Sequence, residues 1–153
     1  MLARKDHAPS FTLPDIDTAE PVSDPWRASS APTVLAFFKA TCPVCQLAAP
    51  LVEAISASGA RVVAIGEDPT PTLARFRDRW GQAVPTLSEP APYRVSDAYG
   101  LISVPSLFLV GPQGVILDAV LGWDRDEWNR VAVAAGGRPV SATGDGLPAF
   151  RPG

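Results

Sequence analysis

The chain has 153 residues, enough for one ordinary core and too few for two comfortable domains. Hydrophobic residues make up 46% and the net charge is −3, which excludes a disordered chain and argues against nucleic acid as a partner, because that would need a basic surface. No apolar run approaches the ~20 residues needed to cross a membrane, so no membrane role is expected.

The first seven residues, Met1-Leu2-Ala3-Arg4-Lys5-Asp6-His7, carry charges with no apolar stretch after them. As written this is not a signal peptide, and a cytoplasmic location is expected, or export if a leader has been removed. His7, the only histidine, reads as a solvated residue of a flexible terminus. Prolines at 9, 14, 21, 25 and 32 break up the next stretch. Within it Ser10-Phe11-Thr12-Leu13 alternates like an edge strand, Val22 opens its return strand, and Trp26 packs onto the main body. Thr33 to Phe38 is apolar on both faces, the mark of a central strand.

A helix is expected from Pro43 to Ser58. Proline is acceptable in its first turn, and Val44, Leu47, Leu51 and Ile55 form one buried stripe. Gly59 ends it, and Pro50, which has no N–H for the Gln46 carbonyl, predicts a kink. Arg61 to Ile65 reads as the next buried strand. Asp68-Pro69-Thr70-Pro71 starts a helix that turns Leu73, Phe76 and Trp80 inward and stops at Gly81. Val84 to Leu87 is a short strand at best, and Tyr93 to Tyr99 makes one or two helical turns. Ser106 to Val110 and Val115 to Leu121 are joined by Gly111-Pro112-Gln113-Gly114 into an antiparallel hairpin. The last helix opens with Asp124 as cap and Glu127 three residues on, and faces Trp128, Val131, Ala132 and Ala135 inward. The pattern predicts one α/β domain over residues 1–136, a mixed central sheet with helices on both faces and an N-terminal strand extension. The Gly/Pro-rich residues 137–153 are expected to form a flexible tail.

The two cysteines, Cys42 and Cys45, are the only ones in the chain and stand where the first apolar strand hands over to a helix. Helix N-termini carry partial positive charge and unpaired N–H groups, which stabilise a thiolate. The first cysteine of such a pair tends to attack sulfur, and the second lies close enough to close a disulfide with it. A structural disulfide is the weaker reading, because so small a loop restrains little chain entropy. Two cysteines and a remote histidine make no zinc site, so no metal and no cofactor are expected.

With these residues in place the chain resembles the thioredoxin superfamily, and within it the TlpA-like (redoxin) thiol–disulfide oxidoreductases. The matching stretches are Ala8 to Leu13, Phe37-Phe38 before Cys42-Pro43-Val44-Cys45, Pro50 on the helix, and Tyr99 to Ser106 containing Val104-Pro105. The resemblance implies a thioredoxin-like fold and a cis Val104–Pro105 bond facing the sulfurs, with the Val104 backbone pairing with an extended substrate segment. Thr41, Pro43 and Val44 would frame the sulfurs. By its position three residues before Cys42, Lys39 reads either as a source of positive charge for that sulfur or as a solvated lysine at the strand end. The chain departs from the family at three places. Thr41 stands where tryptophan is common, Ala36 where typical thioredoxins carry an acid on the strand, and Gln46, Leu47 and Ala48 where TlpA-like relatives carry one after the second cysteine. Glu53 lies too far along the helix to replace it. No acid to relay the Cys45 proton is therefore visible.

The expected activity is dithiol–disulfide exchange at Cys42 and Cys45 by a monomer, with a disulfide-containing or dithiol protein as substrate and a separate electron donor or acceptor. Two alternatives remain open. A peroxiredoxin would use a Pro-x-x-x-Thr-x-x-Cys loop, and here Leu35 and Lys39 occupy the proline and threonine positions. A binding module or metal chaperone on the same fold would retain the cysteines without turnover.

Overall fold

The computed structural model describes residues 1–153. Its centre is a five-stranded mixed sheet in the order β5-β4-β3-β6-β7. Strands β3 (Thr33–Phe38), β4 (Arg61–Gly66) and β5 (Thr86–Ser88) run parallel, while β6 (Ser106–Val110) and β7 (Ile116–Leu121) run antiparallel to their neighbours. The two strands at the middle of the sheet are buried at every position, which is why they lack a polar alternation in the sequence. Strand geometry sends alternate side chains to opposite faces. Val34, Ala36 and Phe38 thus join one core with Val62, Ala64, Leu107 and Leu109, and Leu35 and Phe37 join a second with Val63, Ile65 and Phe108.

Helices α1 (Pro43–Ala57), α2 (Thr70–Trp80) and α4 (Arg125–Ala134) pack on the first core through Ile55, Phe76 and Trp128 among others. The second face is covered by α3 (Arg94–Ala98), by the 3-10 turn Pro25–Ala28 carrying buried Trp26, and by Phe11 and Tyr99. The N-terminal extension is the hairpin β1 (Thr12–Pro14) and β2 (Pro21–Ser23), which leans on β5 through an Asp15–Leu87 bridge. The helices stop close to where glycine predicts, at Gly59 and at Gly81, whose φ values are +113° and +75°. Helix α1 continues through Pro50 as a single 15-residue element.

Two segments depart from expectation. The N-terminus does not hang free: the N–H groups of Leu2, Lys5 and Ala8 donate to Tyr99, Ile116 and Gly114, and His7 bridges to Val115. Residues 137–153 fold back instead of trailing as a loose tail. The Asn129 side chain accepts from the Val140 and Ser141 N–H groups, the Arg125 guanidinium bonds Ser141, Asp145 and the Leu147 carbonyl, and the Trp123 indole donates to the Pro148 carbonyl. The segment ends in β9 (Phe150–Arg151), paired with β8 (Trp123–Asp124). Its order comes from polar side chains of β8 and α4, from Val140 and Leu147 packed on the first core, and from turns at Gly144 and Gly146, both at positive φ. No helix is long and apolar enough to cross a membrane.

Candidate active site

The site forms where β3 ends and α1 begins, at the C-terminal edge of the parallel strands, where open α/β sheets place their ligands. The connecting loop is clamped at one residue. The Ala40 N–H donates to the Asp68 carboxylate at 2.8 Å, and the Gln46 side-chain amide donates to the Ala40 carbonyl at 3.0 Å. The Cys42 N–H closes the turn onto the Lys39 carbonyl at 3.1 Å. Cys42 is thereby set as the N-cap of α1 in extended conformation, and Pro43 takes the first helical position, where its missing N–H costs nothing.

The two sulfurs have different surroundings. Cys42 is half-buried, and its Sγ accepts the Cys45 N–H at 3.3 Å and donates to the Val104 carbonyl at 3.4 Å. Cys45, one turn in, is only 2% exposed. Burial pushes the Cys45 thiol far above the ordinary thiol range. The neighbouring Cys42 and the Glu67 carboxylate push it the same way, and a hydrogen bond from the Lys39 backbone opposes them. Neither cysteine is in a disulfide. The Val104–Pro105 peptide is cis, as is Ala91–Pro92. Thr41 and Pro43 are exposed beside the sulfur, Val44 is half-buried, and Pro105 is buried beneath Val104. The structure thus gathers Cys42, Cys45, Thr41, Pro43, Val44, Val104 and Pro105 at one place.

Lys39 arrives differently from the expectation. Its ammonium donates to the Tyr93 hydroxyl at 2.9 Å and lies 4.6 Å from the centre of that ring. The Tyr93 contact, helped by Asp68 and Glu67, raises the lysine further above its ordinary range. The head group is therefore spoken for by residues 28 or more positions away, and the contact Lys39 makes with the thiol pair is through its backbone. Glu67 is the residue that sequence reasoning passed over. It directly follows β4, its N–H donates to the Phe38 carbonyl at 2.9 Å, and it lines a small cleft with Leu101, Ile102, Ser103 and Val104. An acid does stand near Cys45, delivered by the neighbouring strand and not by β3 or α1.

A half-exposed sulfur capping a helix, a buried partner sulfur one turn on and a cis-proline loop across from them define a thioredoxin-like thiol site. Residues 5–119 match the AhpC/TSA family, and the chain belongs to it. No curated protein sequence matches the chain. Among solved structures, the thioredoxin domain of a thiol–disulfide oxidoreductase from Bacteroides vulgatus is similar with a TM-score of 0.75 and 19% identity, covering 88% of this chain and 99% of that one. DsbF of Mycobacterium tuberculosis is similar with a TM-score of 0.69 and 26% identity, over 82% of this chain and 94% of that one. The peroxidoxin BcpB of the same organism is similar with a TM-score of 0.70 and 24% identity, over 89% of this chain and 97% of that one.

Proposed function

We propose that the protein is a thiol–disulfide oxidoreductase that reduces or forms disulfides in protein partners. The Cys42 thiolate attacks one sulfur of a partner disulfide. A Cys42–partner disulfide forms, and the other partner sulfur leaves as a thiolate and takes up a proton. Cys45 then gives up its proton and attacks Cys42 Sγ. The second partner sulfur leaves, Cys42–Cys45 becomes the disulfide, and two electrons have passed to the partner. The reverse sequence oxidises a dithiol partner. A separate donor or acceptor resets the pair.

The observation that carries this reading is the unequal exposure of two sulfurs that share a hydrogen bond: Cys42 half-buried at the helix end, Cys45 buried behind it. Thr41, Pro43 and Val44 frame the approach to Cys42, the Val104 backbone lies across from it above Pro105, and Lys39 holds the loop through Tyr93 and its own backbone. The test is trapping. Cys45→Ser is expected to accumulate partners covalently held at Cys42, and Cys42→Ser to hold none. Equal trapping by both variants would overturn the assignment of roles.

Peroxide reduction is the second reading, favoured by the AhpC/TSA match and by the likeness to a peroxidoxin. Cys42 would then be oxidised by peroxide to a sulfenic acid, and Cys45 would condense with it, releasing water. Leu35 and Lys39 at the positions of the peroxiredoxin proline and threonine weigh against it. Hydrogen peroxide consumption by the reduced protein, lost in Cys42→Ser, would establish it.

A further inference from the structure

Residues 150–153 return to the site. The Pro148 and Ala149 carbonyls are held by the Trp123 indole at 2.8 Å and the Arg125 N–H at 2.9 Å. Beyond them β9 pairs antiparallel with β8, Arg151 opposite Trp123 and Phe150 opposite Asp124. The chain then passes between Gly122 on one side and Ser103–Val104 on the other. A Cβ placed on Gly122 would stand 2.9 Å from the Arg151 carbonyl oxygen and 3.0 Å from the Gly153 nitrogen. A Cβ on Gly153 would stand 2.5 Å from the Val104 carbonyl oxygen and 2.7 Å from Ser103 Oγ. That Val104 carbonyl is the one that accepts from the Cys42 thiol. Main chain thus touches main chain one atom away from the reactive sulfur, and only residues without a side chain fit at the two closest points.

The contact is placed to be released. All four residues from Phe150 to Gly153 are exposed, Phe150 at 54%, and β9 has only two residues. The opposite side of the groove is built in: the Gly122 N–H donates to the Pro105 carbonyl at 2.8 Å, tying the end of β7 to the cis-proline loop. Short exposed strands held by few bonds lie at the low end of local stability.

Building on the exchange reading above, in which an extended partner segment pairs at Val104, we infer that the groove between Gly122 and Ser103–Val104 is kept occupied until a partner arrives. In the free protein this chain's own Phe150–Gly153 fills it as a placeholder that the partner displaces. The partner that fits is an extended strand with glycine, or another very small residue, opposite Val104. A site open for only part of the time binds its partner more weakly by that fraction, so removing the placeholder raises the apparent affinity.

Two variants test this. One stops after Ala149, which keeps the carbonyls bonded by Trp123 and Arg125. The other is Gly153→Val in the full chain, whose side chain has no room beside the Val104 carbonyl. Insulin reduction at low insulin concentration is expected to rise about fivefold in both, with a smaller change toward a compact aromatic disulfide that needs no strand site. Equal insulin rates in the full chain and both variants would overturn the inference and leave the exchange reading standing. If none of the three turns insulin over, the exchange reading fails, and the groove is judged by binding alone. A synthetic peptide of residues 147–153 is added to the shortened chain and the amide resonances of Gly122, Ser103 and Val104 are followed. Saturable shifts at those residues support the placeholder, and their absence overturns it.

Discussion

Helices α1 and α4 begin in the same way and are used differently. Both start from an extended N-cap residue whose side chain accepts the N–H three residues on: Asp124 from Glu127 at 3.0 Å, and Cys42 from Cys45 at 3.3 Å. The first turn of α4 adds Asp126 and Glu127, so carboxylates answer its free N–H groups and its dipole. The first turn of α1 has no acidic residue at all. A sulfur stands where a carboxylate would stabilise the fold better. The difference teaches that the amide end of α1 is left without a fixed negative charge, as the proposed exchange requires, while that of α4 is answered by carboxylates.

Exchanging the two designs gives the largest effect. Cys42→Asp should raise stability by about 1 kcal/mol as a better N-cap, measured by urea unfolding, while abolishing disulfide exchange. A loss of stability would mean that the start of α1 is shaped for more than a cap. Asp124→Ala is the mirror experiment. It should cost about 1 kcal/mol, and the rate at which Cys42 reacts with a disulfide should stay unchanged.

The pH dependence of stability sharpens the contrast further. The folded-state pKa of Cys45 is raised by burial above its unfolded value. Its contribution to stability is therefore complete below the ordinary thiol range and is lost as the pH climbs above it. The reduced protein should lose about 1 kcal/mol between pH 9 and 10, and Cys45→Ala should lose less over that interval. Tyr99, also raised by burial, adds a similar loss in both proteins only above about pH 10. The smallest effect is expected from an acid in the first turn of α1. Val44→Glu should slow alkylation of Cys42 at neutral pH about two- to fivefold, because a fixed negative charge competes with the thiolate for the helix end.

Much of this frame was legible in the chain. The two-faced apolar run announced β3, the buried run after it announced β4, the Gly111–Gly114 turn announced the β6–β7 hairpin, the 3.6-residue stripe announced α1, and Asp124 with Glu127 announced the start of α4. The cysteine pair and Val104-Pro105 could be read as one site because the family resemblance joins segments about sixty residues apart. What stayed hidden depends on partners that only the fold brings together. Lys39 meets Tyr93 across 54 positions, and nothing near Lys39 in sequence marks that contact. Glu67 looks like any acid at a strand end, and its closeness to Cys45 follows from the pairing of β4 with β3. The two chain ends carry no apolar period, so their order, which rests on backbone bonds to the hairpin and on the side chains of Arg125 and Asn129, leaves no periodic trace.

The central claim is that Cys42 is the attacking sulfur and Cys45 the one held back. Limiting iodoacetamide added to the fully reduced protein at neutral pH tests it directly, with fragmentation of the peptide spanning 40–61 locating the label. The account predicts at least about tenfold more label on Cys42 than on Cys45. Equal labelling, or a preference for Cys45, would contradict it.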